Sequence, residues 1–147
     1  MKLFFKLLAV VLLVCSFTPD KKELDTAVKM LAKTLNSKEI VLQKDGDYFI
    51  INNKGKSVGK LFFRKLTPKA ETFTYFLAID NEGKIIKLQI TDYPSQHGVR
   101  ITSRNWLDQF TNKAPASENF ESSIDGVSGA TLSVKALVKD IKEVTRP

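Results

Sequence analysis

The chain has one cysteine, one histidine and one tryptophan in 147 residues. The cysteine, Cys15, lies in an apolar N-terminal stretch. The part expected to fold therefore has no internal disulfide, no CxxC redox pair and no thiolate metal site. A single histidine, His97, argues against a histidine-based metal centre. No Arg-rich stripe or interleaved aromatic RNP pattern is present, which argues against nucleic acid as a partner. The sequence also lacks a catalytic triad, a metal cluster, a paired-carboxylate pattern, internal repeats and low-complexity segments.

What remains is an ordinary globular composition. Hydrophobic residues make up 43% and charged residues 27% of the chain, enough for one buried core. The aromatic residues are mostly Phe, which argues against disorder. The formal charge is +7, and removing Lys2 and Lys6 with a leader leaves +5. A net positive charge favours anionic partners such as phosphates, acidic proteins or anionic lipid.

Residues 1–16 read as an export signal. Lys2 and Lys6 form a basic start, and Leu7 to Val14 is an unbroken apolar run of signal-peptide length. A membrane-spanning helix needs about 20 apolar residues, more than this run supplies. Three fates stay open: cleavage after Ser16, lipidation of Cys15 within Leu12-Leu13-Val14-Cys15, or an uncleaved tether. Each places the domain outside the cytoplasm, in the periplasm or on the outer face of the membrane.

The pattern beyond the leader predicts an α+β fold: a single domain with an antiparallel sheet and a few packed helices. Leu24, Ala27, Val28, Leu31 and Leu35 share one face of a helix over 20–35, with Asp20 and Glu23 as its capping box. Strands are expected at Tyr48 to Asn52 and Ser57 to Leu66, joined by the turn Asn52-Asn53-Lys54-Gly55, with Gly59 as a candidate bulge. Phe73 to Ile79 and Ile85 to Thr91 form a hairpin across Asp80-Asn81-Glu82-Gly83. In its second strand, Ile86, Leu88 and Ile90 alternate with Lys87, Gln89 and Thr91, as for one buried and one wet face. Tyr93 to Thr102 reads as loop and Arg104 to Phe110 as a short helix capped by Ser103. Asn112 to Ser123 reads as a polar surface connection. A final helix to about Val144 carries the stripe Val134, Leu137, Val138 and Ile141 opposite Lys135, Lys139 and Lys142. Residues 20–66 thus supply the first helix and strands, and 67–147 the functional core.

Before that last helix runs Asp125-Gly126-Val127-Ser128-Gly129-Ala130-Thr131. Small residues leave the Thr131 hydroxyl accessible, and Gly126 and Gly129 permit tight turns. The N–H groups of Leu132, Ser133 and Val134 at the helix start are expected to favour a phosphate, and Lys135 lies one turn further on. On residue type alone, a helix cap and a tight turn explain the same stretch.

The seven residues resemble the acceptor motif of the FMN-binding domain family, Asp-x-x-(Ser/Thr)-Gly-Ala-(Thr/Ser), and fill every specified position. The resemblance extends over about Phe73 to Val144. It includes the Asp-Asn-Glu-Gly-Lys hairpin and Trp106-Leu107-Asp108-Gln109-Phe110. It implies FMN joined through its phosphate to Thr131 by a dedicated flavin transferase, with Asp125 recognised by that enzyme and Ser128, Gly129, Ala130, Leu132 and Ser133 around the phosphate. The best-known members carry flavin outside the cytoplasm as a relay in membrane electron-transfer complexes. Where members often have Glu-Thr-x-Gly-x-Gly, this chain has Ser95-Gln96-His97-Gly98-Val99-Arg100, with one glycine retained. Contacts from His97 and Gly98 to the flavin follow from that alignment, and a solvent-exposed loop histidine remains the other reading. Trp106 is either a stacking partner of the flavin or a core residue. The implied function is an electron carrier with an as yet unassigned redox partner. A secreted non-redox interaction domain and a flavin-dependent reductase of a small substrate are the alternatives.

Overall fold

The structure is a computed structural model and describes residues 17–147. The expected export signal, with Cys15, lies outside those residues. Among the described residues no helix is long and apolar enough to cross a membrane.

The first helix, α1 (Lys21–Thr34), starts at the expected box. The Asp20 carboxylate accepts from Glu23 N–H at 2.8 Å, and the Glu23 carboxylate accepts from Asp20 N–H at 2.9 Å. Two donors that a helix start leaves unpaired are thereby satisfied.

Five strands follow: β1 (Ile40–Asp45), β2 (Tyr48–Asn53), β3 (Lys56–Leu66), β4 (Phe73–Asp80) and β5 (Ile85–Asp92). They form one antiparallel meander in the order β1-β2-β3-β4-β5. Strand β1 was not anticipated, yet its hairpin carries a signal in Asp45-Gly46. Gly46 has φ 63°, at the first central position of the two-residue turn before Tyr48. Lys54 and Gly55, both at positive φ, close the next hairpin as a turn of mirror-image type. The β3 bulge falls at Val58, beside Gly59 rather than on it. Gly59 serves a different need: a Cβ there would lie 2.0 Å from the Ile79 carbonyl oxygen on β4.

Both faces of the sheet are covered, which corrects the expectation of one wet face on β5. On one side α1 packs Ala27 and Leu31 against Ile51, Leu61, Phe63, Phe76 and Ala78. On the other, Phe62, Tyr75, Leu77, Leu88 and Ile90 meet the C-terminal segments. A register shift between Ala78 and Ile79 leaves Ile86 unpaired. This bulge turns Ile86 toward the α1 side and brings Ile85, not Ile86, into line with Leu88 and Ile90.

Beyond β5 the chain supplies the second covering layer. The expected loop at Tyr93 to Thr102 contains a 3₁₀ turn, Val99–Thr102, with Ile101 buried. The expected helix to Phe110 is one α turn, α2 (Arg104–Leu107), continued as a 3₁₀ turn over Asp108–Phe110. Ser103 caps it, accepting from Trp106 N–H at 3.3 Å. The segment read as a polar surface connection, Asn112 to Ser123, is anchored by Phe120. That ring is 1% exposed and packs on Phe110 at 6.1 Å. The last helix is α3 (Thr131–Val144).

One polar cluster ties α3 to the sheet. Arg64 on β3 donates twice to the Asp140 carboxylate on α3, at 2.8 and 2.6 Å. The Tyr75 hydroxyl on β4 donates to the same carboxylate at 2.5 Å. Burial pushes the Tyr75 hydroxyl well above its ordinary value of 10.0. The Asp140 charge pushes it the same way, and Arg64 works against both. A phenol whose folded value is raised contributes stability that is full below the unfolded value and is lost as pH climbs past it. Above pH 10.0 the protein should therefore lose stability faster than its Tyr75→Phe variant. Denaturant melts at a series of alkaline pH values test this, and parallel curves for the two proteins would sink the idea.

Candidate functional site

The loop 125–131 is held from beneath and open above. Val127 and Ala130 are each 3% exposed, while Ser128, Gly129 and Thr131 face solvent. Ala130 N–H donates to the Val127 carbonyl at 3.0 Å, closing the turn in which Gly129 takes φ 82°. Such a φ favours glycine because a side chain would crowd the backbone. Asp125 is fixed through its backbone. Its carbonyl accepts from Trp106 Nε1 at 2.9 Å, and its N–H donates to Gln109 Oε1 at 2.8 Å. Its side chain remains at the surface.

Thr131 is the first residue of α3 and not its cap. Ala130 holds the cap position, and no side chain caps this helix. The reading of Thr131 as a mere N-cap thus loses its geometry. The first helical bond runs from Val134 N–H to the Ala130 carbonyl at 2.9 Å. Val134 is therefore not one of the free donors, which corrects that expectation. The free set is Thr131, Leu132 and Ser133, because these N–H groups precede the first helical bond. A helix start of this kind attracts an anion through its N–H groups and its dipole. Lys135 is exposed one turn on.

A cleft of about 550 Å³ opens beside this helix start. Gly129 to Ser133 form one wall, and Tyr93, Pro94, Ser95 and His97 form a second. Residues Pro68 to Thr72 of the β3–β4 loop, with Phe73 at the start of β4, form the third. The Thr67 and Thr72 hydroxyls share a hydrogen bond of 2.8 Å across the base of that loop. The third wall was not read from the sequence. Pro68 registered there only as a break between strands, and no local pattern reports which loops the topology gathers.

His97 and Gly98 both reach the site. The exposed His97 lines the cleft, and its backbone is held by Ser95 and Tyr93. Gly98, at φ 67°, abuts the loop 125–131 so closely that a Cβ would lie 2.2 Å from Ala130 Cβ. Gly98→Ala should therefore lower stability by about 1–3 kcal/mol through overpacking and displace that loop. A denaturant midpoint equal to that of the parent protein would show that the contact relaxes freely. Trp106 does not line the cleft. It is 2% exposed, sits edge-on to Phe110 at 5.2 Å and holds the Asp125 carbonyl. Of its two readings, the structure places it in the core.

The sequence model of the FMN-binding domain family matches residues 69–145, more than half of the chain. The chain belongs to the FMN-binding domain family. The match takes in all three walls of the cleft except Pro68, together with the whole of α3. No curated protein matches the sequence. FMN is the cofactor of the domain, and the cleft has the features such a ligand needs. Its volume falls within the range of about 300–1,000 Å³ usual for small-molecule sites. Pro68, Ala70, Phe73, Tyr93 and Leu132 give it apolar surface, and the three free N–H groups suit the phosphate.

Proposed function

We propose that this flavoprotein is an extracytoplasmic electron carrier whose FMN is joined through its phosphate to Thr131. The observation that carries the reading is the placement of the Thr131 hydroxyl. It is exposed, released from any capping role, and set beside three free N–H groups at the mouth of the cleft. In the attachment step, with a phosphoanhydride of FMN as donor, the Thr131 oxygen forms a bond to the flavin phosphorus and loses its proton. The bond from that phosphorus to the anhydride oxygen breaks, and the second phosphate group leaves with the bonding pair and takes up the proton. The diester keeps one negative charge, which Thr131, Leu132 and Ser133 N–H can solvate. The exposed Asp125 carboxylate, on a backbone fixed by Trp106 and Gln109, offers the transferase a recognition point.

FMN supplies reversible uptake of electrons, and the chain supplies position and surroundings. Leu132, exposed and lining the cleft next to Thr131, gives the site an apolar surface that a redox partner can approach. The extracytoplasmic placement rests on the basic and apolar run of residues 1–16. The test is co-expression with a flavin transferase in an exporting host, followed by denaturing intact mass and peptide mapping. A gain of one FMN less one water on the Thr131 peptide is the expected result. An unmodified chain beside a modified control substrate would overturn the reading.

A further inference from the structure

Of the two aromatic rings that line the cleft among the described residues, Phe73 and Tyr93, only Tyr93 is partly exposed. It is held at two points. One point is the Phe73 ring, met edge-on at 5.7 Å and 65°. The other is its hydroxyl, which donates to the His97 carbonyl at 3.0 Å. Phe73 also lines the cleft but is only 2% exposed.

The hydroxyl bond has a further effect. His97 precedes Gly98, Gly98 abuts Ala130, and Ala130 precedes the acceptor. The Tyr93 ring is thereby tied to Thr131 through a short chain of close contacts. A flat ligand anchored at Thr131 would meet an aromatic surface whose distance from the anchor is fixed.

We propose that the Tyr93 ring is the aromatic wall against which the isoalloxazine of the cofactor rests. The inference rests on FMN occupying the cleft beside Thr131, as proposed above. Oxidised isoalloxazine is electron-poor, and a phenol ring is electron-rich, so offset or edge contact between them is favourable. Reduction makes the flavin ring electron-rich and weakens that contact. Tyr93 therefore holds the cofactor's potential lower than an aliphatic residue would. A phenol in contact also quenches flavin emission, whereas a phenyl ring does so poorly.

The experiment uses the flavin-loaded protein and four forms: wild type, Tyr93→Phe, Tyr93→Leu and Tyr93→Trp. Emission of the native protein is divided by the emission of the same flavin after unfolding and proteolysis. The expected result is a several-fold rise for Tyr93→Phe and Tyr93→Leu, continued quenching for Tyr93→Trp, and an upward shift in potential for Tyr93→Leu. Tyr93→Phe keeps the ring and loses one hydrogen bond, so it remains informative if Tyr93→Leu fails to fold. Emission ratios equal to wild type in Tyr93→Phe and Tyr93→Leu, with only melting temperature changed, would make Tyr93 a packing residue and overturn the inference. A wild-type chain that gains no flavin mass beside an active control would instead overturn the functional reading, and this inference with it.

Discussion

Thr131→Ala is expected to abolish the FMN mass gain while leaving stability unchanged or slightly raised. The chemical half of this result is all-or-none, because alanine has no oxygen to esterify. The stability half follows from the position of Thr131 at the first turn of α3, where its hydroxyl caps nothing. Alanine is the better helix former by up to about 0.7 kcal/mol, so the substitution carries no cap penalty. Thr131→Ser keeps the hydroxyl and should keep the modification. Ser128 and Ser133 flank the acceptor and are the natural competitors. Intact mass and peptide mapping on the three proteins decide the matter. Flavin retained in Thr131→Ala, or mapped to either serine, would remove Thr131 from its role.

The second large effect is expected at Arg64. Asp140 is 5% exposed, and Arg64 is its bidentate partner. Removing one member of a buried pair leaves an uncompensated charge, at a cost of about 3–5 kcal/mol. Arg64→Ala should lower the denaturant midpoint by an amount in that range. The pair is not expected to be worth that much in itself, since desolvating two ions offsets most of their attraction. Joint replacement by apolar residues of similar size, Arg64→Met with Tyr75→Phe and Asp140→Leu, should recover most of the loss. If the triple variant is as unstable as Arg64→Ala, the cluster contributes more than charge compensation.

Local signals in the sequence were enough to place most elements. The α1 capping box, the turn at Lys54-Gly55 and the β4–β5 hairpin each depend on residues within a few positions of one another. What escaped depends on register and distance. The bulge at Ile86 cannot be seen without the partner strand, so Ile86 was assigned to the face that Ile85 occupies, while Leu88 and Ile90 fall where the alternation puts them. Phe120 lies among polar residues and is buried by joining the core cluster, with Phe110 against it.

The site divides in the same way. The acceptor loop and the free helix start are contiguous and were legible, apart from the donor at Val134. The loop 67–72 and Tyr93 reach the cleft only through the order of the sheet. Gly98 could be singled out by alignment, but its reason, contact with Ala130, is a distance between separate loops.

The Arg64–Asp140 bond crosses a boundary that sequence comparison draws. The family match begins at residue 69, while Arg64 precedes it and Asp140 lies within it. The unit recognisable by descent is therefore smaller than the unit that packs together. A graft cut at residue 69 would strip β1 to β3 and turn β4 into an unprotected sheet edge, an invitation to pairing with other chains. It would also leave a carboxylate in the core with no cation. Transplanting the proposed flavin site into another scaffold means carrying the preceding strands along, or redesigning position 140 first.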